Sequence, residues 1–386
     1  MIQVLLIEHD EVEHLYPFSI THCAWELRVG RFTIVERWAN ALVDSIVTVA
    51  SHRDLHVRSF VERHPNAAAP FRPLPTMLIG AHVVLAPDTM RTLEDACKRS
   101  EDPILLFVDD VPVGAFLPEP PDSPVHAQAL LEALNPDTCR AVDVSAYMIT
   151  RLWQCLDNIT EGTMWDSDVL IEGDDAVVHM TVAIDEEDGP VLIEDGVVIE
   201  PHVFLKGPVV IGSGTIVKSG TRISNSIIGP HCRVAGEIDT SIIQGYTNKS
   251  HDGYLGHSYL GEWVNLGAGT TTSNLKSTYG SIRVHMPWGI EDTGQIFLGL
   301  LIGDHSKSAI GTHFPTGATC GAACNVVSDH TVSVSIPSFT WLQGSISNTY
   351  DVDKMLDVAR IVMQRRGKEL GPQTEQLLRS IHSARK

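Results

Sequence analysis

One polar segment, residues 245–274, holds the side chains of this chain that are best suited to chemistry: GYTNKSHDGYLGHSYLGEWVNLGAGTTTSN. It places an imidazole, a phenol and two carboxamides close together in sequence, at His251, Tyr254, Asn265 and Asn274. A histidine with a pKa near neutrality is a natural general base for an amine. Carboxamides and the backbone of the GAGT turn can stabilise an oxyanion. The segment therefore favours acyl transfer to an amine.

Aliphatic residues recur every six positions before this segment, at Ile193, Ile199, Leu205, Ile211, Val217 and Ile223. The phase breaks, restarts at Ile228 and Val234, and returns at Ile302, Ser308, Phe314, Cys320 and Val326. A period of six fits neither a helix nor an alternating strand. It is typical of a hexapeptide β-helix, in which short strands stack coil upon coil, and an ordinary sandwich of short strands is the alternative. Residues one coil apart would lie about 4.8 Å apart, so groups distant in sequence can share one surface.

The composition excludes several classes of partner. Lys and Arg number 28 against 48 Asp and Glu in 386 residues, and this net charge of −20 argues against nucleic acid or an anionic membrane. Any anionic substrate must therefore meet local basic residues. The seven cysteines show no disulfide framework, which favours a reducing cytoplasm. We predict a first strand at the N-terminus, not a signal peptide, and no apolar run approaches the roughly 18 residues of a membrane span.

The chain is long enough for two domains. Strand-like and helix-like runs alternate over residues 1–160, which predicts an α/β domain with a mainly parallel sheet. SAYMITRLWQCLDNI predicts a helix leading into the second domain. We expect the β-helix over residues 161–345. A helical segment, 346–386, closes the chain as one or two helices interrupted at Gly371-Pro372.

The polar segment resembles the acetyltransferase half of a bifunctional family. That family joins glucosamine-1-phosphate N-acetyltransferase to N-acetylglucosamine-1-phosphate uridylyltransferase. The shared pattern is a His, a Tyr three residues later, Leu-Gly, V-N-[IL]-G-A-G-T and a further Asn, and HDGYLGHSYLGEWVNLGAGTTTSN keeps that order and spacing. The resemblance implies a left-handed parallel β-helix, acetyl-CoA as co-substrate, and a homotrimer with acetyl-CoA between neighbouring chains.

The resemblance also implies roles for single residues. His251 would activate the amine of glucosamine 1-phosphate, and Asn274 would hold the sugar or orient the histidine. Spacing to both asparagines favours His251 over the neighbouring His257. The other expected contacts are Tyr254, Asn265, Lys249, Arg233 and Lys276 to the sugar phosphate, and Ala268 to the pantetheine of acetyl-CoA. The family usually has Tyr after the second Asn, whereas this chain has Leu275 and then Lys276, so its sugar contacts are expected to differ.

The N-terminal run LYPFSITHCAWELRVGRFTIVERW resembles the opening of a divergent branch of Rossmann-like sugar-1-phosphate nucleotidyltransferases. The resemblance suggests Arg28 and Gly30 as contacts to a nucleotide phosphate, the alternative being an ion-pair partner and a turn. The Gly-rich loop G-x-G-T-R-M is missing, and Ala81 stands where the family has its Mg²⁺-binding Asp. Asp109 and Asp110 are replacement candidates for the metal, or a turn before a hairpin.

Taken together, the two resemblances imply an enzyme of sugar-nucleotide biosynthesis. It would N-acetylate glucosamine 1-phosphate and then transfer a nucleotidyl group from UTP, with Mg²⁺, to give UDP-N-acetylglucosamine. One alternative is a nucleotidyltransferase alone, acting on another sugar with dTTP or UTP. The other is a non-catalytic protein that binds sugar nucleotides. All three take small-molecule ligands.

Overall fold

The computed structural model describes residues 1–9, 11–42, 44–136, 139–167, 175–328 and 330–385, which form two compact units. The first unit comprises Met1–Val12, His22–Leu27 and Phe32–Thr150. The second comprises Glu13–Thr21, Arg28–Arg31 and the chain from Arg151 onward. The main division thus falls at Thr150 and not near residue 160. Part of the predicted start of the β-helix, residues 168–174, lies outside the described residues.

The first unit contains a six-stranded sheet built from the hydrophobic runs of the N-terminal half. Its spatial order is Ile46–Ala50, Gln3–Ile7, Thr76–Gly80, Val111–Leu117, Ile104–Val108 and Arg140–Asp143. Neighbouring strands are parallel except Val111–Leu117, which is antiparallel to both of its neighbours. The predicted α/β class is confirmed, with a mixed sheet.

Four helices of this unit are Ile34–Ala41, Asp54–Arg63, Pro87–Arg99 and Pro124–Ala133. The first is fixed by a capping box, in which Thr33 and Glu36 satisfy each other's backbone N–H groups. The helix predicted over SAYMITRLWQCLDNI is wrong at its start. Ala146–Met148 is a strand that pairs antiparallel with Val83–Leu85, and helices follow only at Gln154–Asp157 and Ile159–Asp166.

The second unit is a parallel β-helix with three walls. Wall A comprises Ala183–Asp185, the first parts of Phe204–Ile211 and Arg222–Ile228, and then Glu237–Asp239, Tyr254–Gly256, Thr271–Thr272 and His313–Phe314. Wall B comprises Val191–Ile193, the second parts of the two long strands, and then Ile242–Gly245, Tyr259–Glu262, Leu300–Ile302, Ala318–Cys320 and Ser335–Ile336. Wall C comprises Val177–Val178, Val198–Ile199, Ile216–Val217, Arg233–Val234, Asn248–Lys249, Asn265–Leu266, Lys307–Ser308, Asn325–Val327 and Thr340–Gln343.

The residues that recur every six positions form the inward face of these walls. Each step of six carries the chain from one wall to the next, so Ile193, Ile199 and Leu205 lie on walls B, C and A. A full coil later Ile211 pairs with Ile193. The inward residues form one continuous buried core. This repeat therefore confirms the predicted β-helix.

Two additions depart from the plain coil. Between Thr272 and Leu300 the chain leaves the walls and forms an antiparallel hairpin of Arg283–Met286 and Gly289–Asp292. After the last coil, Ile346–Thr349 returns antiparallel to Thr340–Gln343. The predicted closing helices follow at Val352–Gln364 and Pro372–Ala384, and pack with Phe339 and Tyr350 in a second apolar cluster. Within the described ranges, the helices lack the length and apolar character that crossing a membrane requires.

We expect Leu260→Ala to lower the free energy of unfolding by about 2 to 5 kcal/mol, because it opens a void in the column of wall B. Leu260 is fully buried there and pairs with Ile243 and Ile302. The matched control is Ile310→Ala, at a residue that is 76% exposed, with an expected change within about 0.5 kcal/mol. Urea unfolding measures both. Equal losses for the two variants would contradict the assignment of the column.

Candidate functional site

Stacking of successive coils brings the polar segment onto one part of the β-helix. Asn248 pairs with Asn265, and its amide Nδ2 donates to Asn265 Oδ1 at 2.7 Å. At the next corner Gly269 N donates to Asp252 O at 3.0 Å. The neighbouring residues His251 and Ala268 therefore belong to adjacent coils at the corner between walls C and A. The predicted base and the predicted pantetheine contact share this corner.

Lys249 occupies an inward position of wall C, in a column that carries Ile199, Val217 and Val234 on the preceding coils. It pairs with Val234 and is only 2% exposed. Its Nζ donates to three backbone carbonyls, those of Ala235 at 2.7 Å, His251 at 3.1 Å and Gly253 at 2.8 Å. Burial lowers the pKa of Lys249 to about 8, against an opposing effect of Asp252.

This arrangement corrects the predicted phosphate contact of Lys249. An ammonium group has three donors, and all three are directed to carbonyls in the β-helix interior. Two of those carbonyls belong to the corner that carries His251. Lys249 therefore holds the backbone of the corner that carries His251, the candidate base. Its own side chain points into the interior and away from ligands in solution.

A second group of polar side chains lies along wall A and its corner with wall B. Asn274 Nδ2 donates to Tyr254 Oη at 2.9 Å and lies 3.0 Å from His257 Nδ1. The Tyr254 ring reaches over Gly256: a Cβ added there would lie 2.2 Å from the phenol oxygen, so a larger residue would displace the ring. Burial raises the pKa of Tyr254, so the phenol is a neutral hydrogen-bonding group.

His257 also has a side chain suited to catalysis or binding, although its spacing in the sequence favoured His251 as the base. Its ring stacks on Phe297 at 5.1 Å, and Asp239 Oδ2 lies 4.0 Å from its Nδ1. Burial lowers the pKa of His257, with an opposing contribution from Asp239. Burial therefore favours the neutral imidazole. A 180° rotation of the Asn274 amide would let its oxygen accept from both Nδ1–H and the phenol, leaving Nε2 unprotonated.

His251 itself is exposed, on the corner held by Lys249. Among the described residues its ring has no recorded hydrogen bond to Asn265 or Asn274. The structure thus brings Tyr254 and Asn274 together with His257, and brings His251 into register with Ala268. Wall A, only three residues wide from Tyr254 to Gly256, separates the two imidazoles along the chain.

The remaining predicted contacts of the β-helix occupy other places. Arg233 stands in the outward column of Asn248 and Asn265, but its Nη1 donates to the carbonyls of Gly214 and Cys232. Burial, and secondarily the nearby Arg366, lowers the pKa of Arg233. Lys276 lies in the excursion from the walls and donates to Ser281 O. No cationic pocket of Lys249 and Arg233 forms beside His251 among the described residues.

Arg28 and Gly30 take structural places in the second unit, which corrects their predicted nucleotide contacts. Arg28 is 8% exposed and donates to the carbonyls of Gln244 and Arg31. Gly30 has a φ of +71°, and a Cβ would lie 2.3 Å from Gly162 O. A phosphate could not approach this backbone, because the chain already packs against it.

Asp109 and Asp110 form the turn of a hairpin and are both exposed. Their φ angles of 48° and 64° are those of the two central residues of a type I′ turn. No cluster of three or more His, Cys, Asp or Glu that could hold a metal ion occurs in the part of the chain that the structure describes. The turn interpretation accounts for this acidic pair.

The first unit has its own cavity, of about 480 Å³, at the carboxyl ends of Gln3–Ile7 and Thr76–Gly80. Ligands of α/β sheets bind at this edge. His9 and His82 meet there with ring centroids 4.3 Å apart, and burial, with His9, lowers the pKa of His82 to about 4. The Glu8 carboxylate is paired with Arg53. Among the described residues, neither Lys nor Arg lines the cavity.

The coil length could have revealed the contact between His257 and Asn274. These residues are seventeen positions apart, as are the stacked pair Asn248 and Asn265. Spacing from His251 by the same coil leads to Ala268 and not to an asparagine. The family pattern preserves positions in sequence, whereas the coil length decides which side chains touch.

The chain is similar to known sugar nucleotidyl transferases and acetyltransferases. Residues 4–173 match the family model described as sugar nucleotidyl transferase. The bifunctional protein GlmU of Synechococcus elongatus is 24% identical over 268 residues, which cover 54% of this chain and 55% of that protein. The bifunctional sugar-1-phosphate nucleotidylyltransferase/acetyltransferase of Sulfurisphaera tokodaii is 28% identical over 149 residues, covering 33% and 37% of the two chains. These matches confirm the resemblance: residues 4–173 are similar to sugar nucleotidyl transferases, and the chain is similar to the bifunctional protein GlmU.

The matched part spans about half the length of the first of these relatives. Among solved structures, a variant of perosamine N-acetyltransferase from Caulobacter crescentus, in complex with CoA and GDP-perosamine, is similar at 12% identity. That similarity covers 45% of this chain and 56% of the other, with a TM-score of 0.16. A TM-score this low carries no argument about activity.

The buried amine of Lys249 makes stability depend on pH. Its pKa is about 8 in the folded chain and roughly 10.4 when unfolded, so the unfolded state binds more protons between these values. The wild type should therefore gain about 1 to 3 kcal/mol of stability relative to Lys249→Leu as the pH rises from 8 to 10.5. Urea unfolding across this range measures the difference. Lys354→Leu, at an exposed lysine, is the control. A wild-type curve parallel to that of Lys249→Leu would contradict the interior placement.

Proposed function

We propose that the β-helix transfers an acetyl group from acetyl-CoA to the amine of a hexosamine 1-phosphate, with glucosamine 1-phosphate as the acceptor. The observation that carries the proposal is the register of His251 with Ala268 at one corner, beside the linked pair Tyr254 and Asn274. The Sulfurisphaera relative, whose name includes acetyltransferase, supports the same chemistry.

In this proposal His251 takes the proton that the attacking amine loses. The amine nitrogen bonds to the thioester carbon, the carbon–sulfur bond breaks, and the CoA thiolate leaves and takes up a proton. Ala268 borders the pantetheine on the adjacent coil, and backbone N–H groups of the GAGT turn stabilise the oxyanion. Tyr254 and Asn274 bind the sugar, while Asn265 and Lys276 supply further polar contacts to the substrate.

A second activity, nucleotidyl transfer from UTP to the N-acetylated sugar 1-phosphate, is proposed for the first unit. Its support is the match of residues 4–173 to the sugar nucleotidyl transferase family, together with the cavity at the edge of the sheet. The product would be UDP-N-acetylglucosamine. Because no three-ligand acidic cluster occurs among the described residues, any Mg²⁺ is proposed to arrive with the nucleotide.

Two alternatives concern the first unit. The missing Gly-rich loop, and Ala81 in place of the family's metal-binding Asp, favour a unit that binds sugar nucleotides without turnover. A single nucleotidyltransferase activity on another sugar, with dTTP or UTP, is the other alternative. The proposed assembly is a homotrimer in a reducing cytoplasm, since the flat outer walls of a β-helix offer surfaces for symmetric association.

The acetyl transfer is tested by following thiol release from acetyl-CoA with glucosamine 1-phosphate. We expect His251→Ala to lower kcat/KM at least about 100-fold, because general-base catalysis contributes about that much or more. His179→Ala, at an exposed histidine of an early coil, is the matched control and should leave the rate unchanged. His257→Ala should raise KM more than it lowers kcat.

Two results would count against this assignment. If the wild type released thiol no faster than acetyl-CoA hydrolyses on its own, the protein would have no acetyltransferase activity toward this acceptor. Loss of kcat in His257→Ala, together with full activity in His251→Ala, would identify His257 as the general base.

The nucleotidyl activity is tested by pyrophosphate release from UTP or dTTP with N-acetylglucosamine 1-phosphate and Mg²⁺. We expect release with UTP, and Asp109→Asn should not change it, because Asp109 lies in an exposed hairpin turn. A flat trace with every common nucleotide, accompanied by binding of a sugar nucleotide, would establish the non-catalytic alternative.

A further inference from the structure

The β-helix unit contains a second cavity, of about 500 Å³, at the corner between walls A and B. Its volume lies within the roughly 300–1,000 Å³ of small-ligand pockets. The corner residues Asn225, Thr240 and His257 form one side. The segments Trp153–Thr160 and Gly294–Leu298 provide the rest of the lining.

The polar groups of this cavity alternate donors and acceptors. The Asp157 carboxylate accepts from Gln295 Nε2 at 3.2 Å. Asn225 Nδ2 donates to Thr240 Oγ1 at 3.2 Å, and Thr160 Oγ1 donates to Asn225 Oδ1 at 3.5 Å. A ligand rich in hydroxyl groups suits such a lining, because each hydroxyl both donates and accepts.

Aromatic groups supply a flat apolar surface beside these polar groups. Phe297 stacks on His257 with ring planes 24° apart, and Trp153 also lines the cavity. The C–H face of a pyranose ring can pack against such a surface while its hydroxyls reach the amides and the carboxylate.

The charges of the lining argue against a phosphate in this cavity. Among the described residues, neither Lys nor Arg lines it, and Asp157 is its one carboxylate. Burial raises the pKa of Asp157, against the hydrogen bond from Gln295. Asp239 adds negative charge 4.0 Å from His257. A phosphate placed here would face carboxylates without a counter-ion.

The cavity is joined to the proposed acceptor site by a chain of hydrogen bonds. His257 lines the cavity, Asn274 contacts His257, and the same amide of Asn274 donates to Tyr254. A ligand in the cavity can thus influence the side chains that line wall A.

We propose that this cavity binds an uncharged pyranose ring, which is the sugar part of the substrate, while the phosphate stays outside. The identification of that sugar with the acetyl acceptor or its N-acetylated product rests on the proposed function. The cavity then selects the sugar by its hydroxyl pattern, with Asp157, Asn225 and Gln295 as the selecting residues.

Ligand-observed saturation-transfer NMR on the full chain tests the proposal with N-acetylglucosamine, glucosamine 1-phosphate and inorganic phosphate. We expect N-acetylglucosamine to bind, and inorganic phosphate not to displace it. Asp157→Ala and Phe297→Leu should each weaken binding about tenfold, since each removes a contact to the sugar worth roughly 1.4 kcal/mol. Asp195→Asn, at an exposed carboxylate of an early coil, should have no effect. Thermal unfolding checks that the variants fold.

The outcomes separate this proposal from the proposed function. Sugar binding that depends on Asp157, without acetyl transfer, would overturn the function and support the cavity. Acetyl transfer with an unchanged KM for glucosamine 1-phosphate in folded Asp157→Ala would overturn the cavity assignment alone. Competition by inorganic phosphate, or sugar binding equal in all variants, would also overturn it.

Discussion

The inward column of the β-helix is the constraint on which the candidate site depends. Each coil must present one residue per wall to a narrow interior, and in wall C that residue is aliphatic at Ile199, Val217 and Val234. Lys249 breaks the rule by placing an ammonium group in the same column. Because a buried charge is costly unless its donors are satisfied, the three carbonyls around Nζ must stay in place. The corner that carries His251 is held by that requirement.

The same constraint explains why the site extends across one wall. Corners of adjacent coils stack, so His251 meets the coil of Ala268 at one corner and His257 meets Asn274 at the other. Tyr254 lies on the wall between these corners, and its phenol oxygen accepts a hydrogen bond from Asn274. The proposed chemistry and the proposed sugar cavity therefore lie at the two corners that flank wall A.

Much of the fold follows from local pattern. A period of six is typical of a β-helix, so the repeat from Ile193 to Ile223 predicted this fold, and apolar runs predicted the strands of the first unit. The site was harder to predict. In the sequence, Lys249 looks like an ordinary surface cation. It faces inward because it pairs with Val234, an inward-facing residue of the preceding coil. Arg28 and Gly30 match a family pattern, but their burial depends on packing with residues far along the chain, such as Gln244 and Gly162. Asp109 and Asp110 look like a metal pair until their backbone angles define a turn.

The central claim is that the corner of His251 and Ala268 transfers an acetyl group to an amino sugar phosphate. Mass spectrometry of a single-turnover mixture of the protein, acetyl-CoA and glucosamine 1-phosphate tests it most directly. The account predicts one equivalent of N-acetylated sugar phosphate per active site with the wild type, and none above background with His251→Ala. No N-acetylated sugar phosphate in the wild-type mixture, or equal product from the variant, would contradict it.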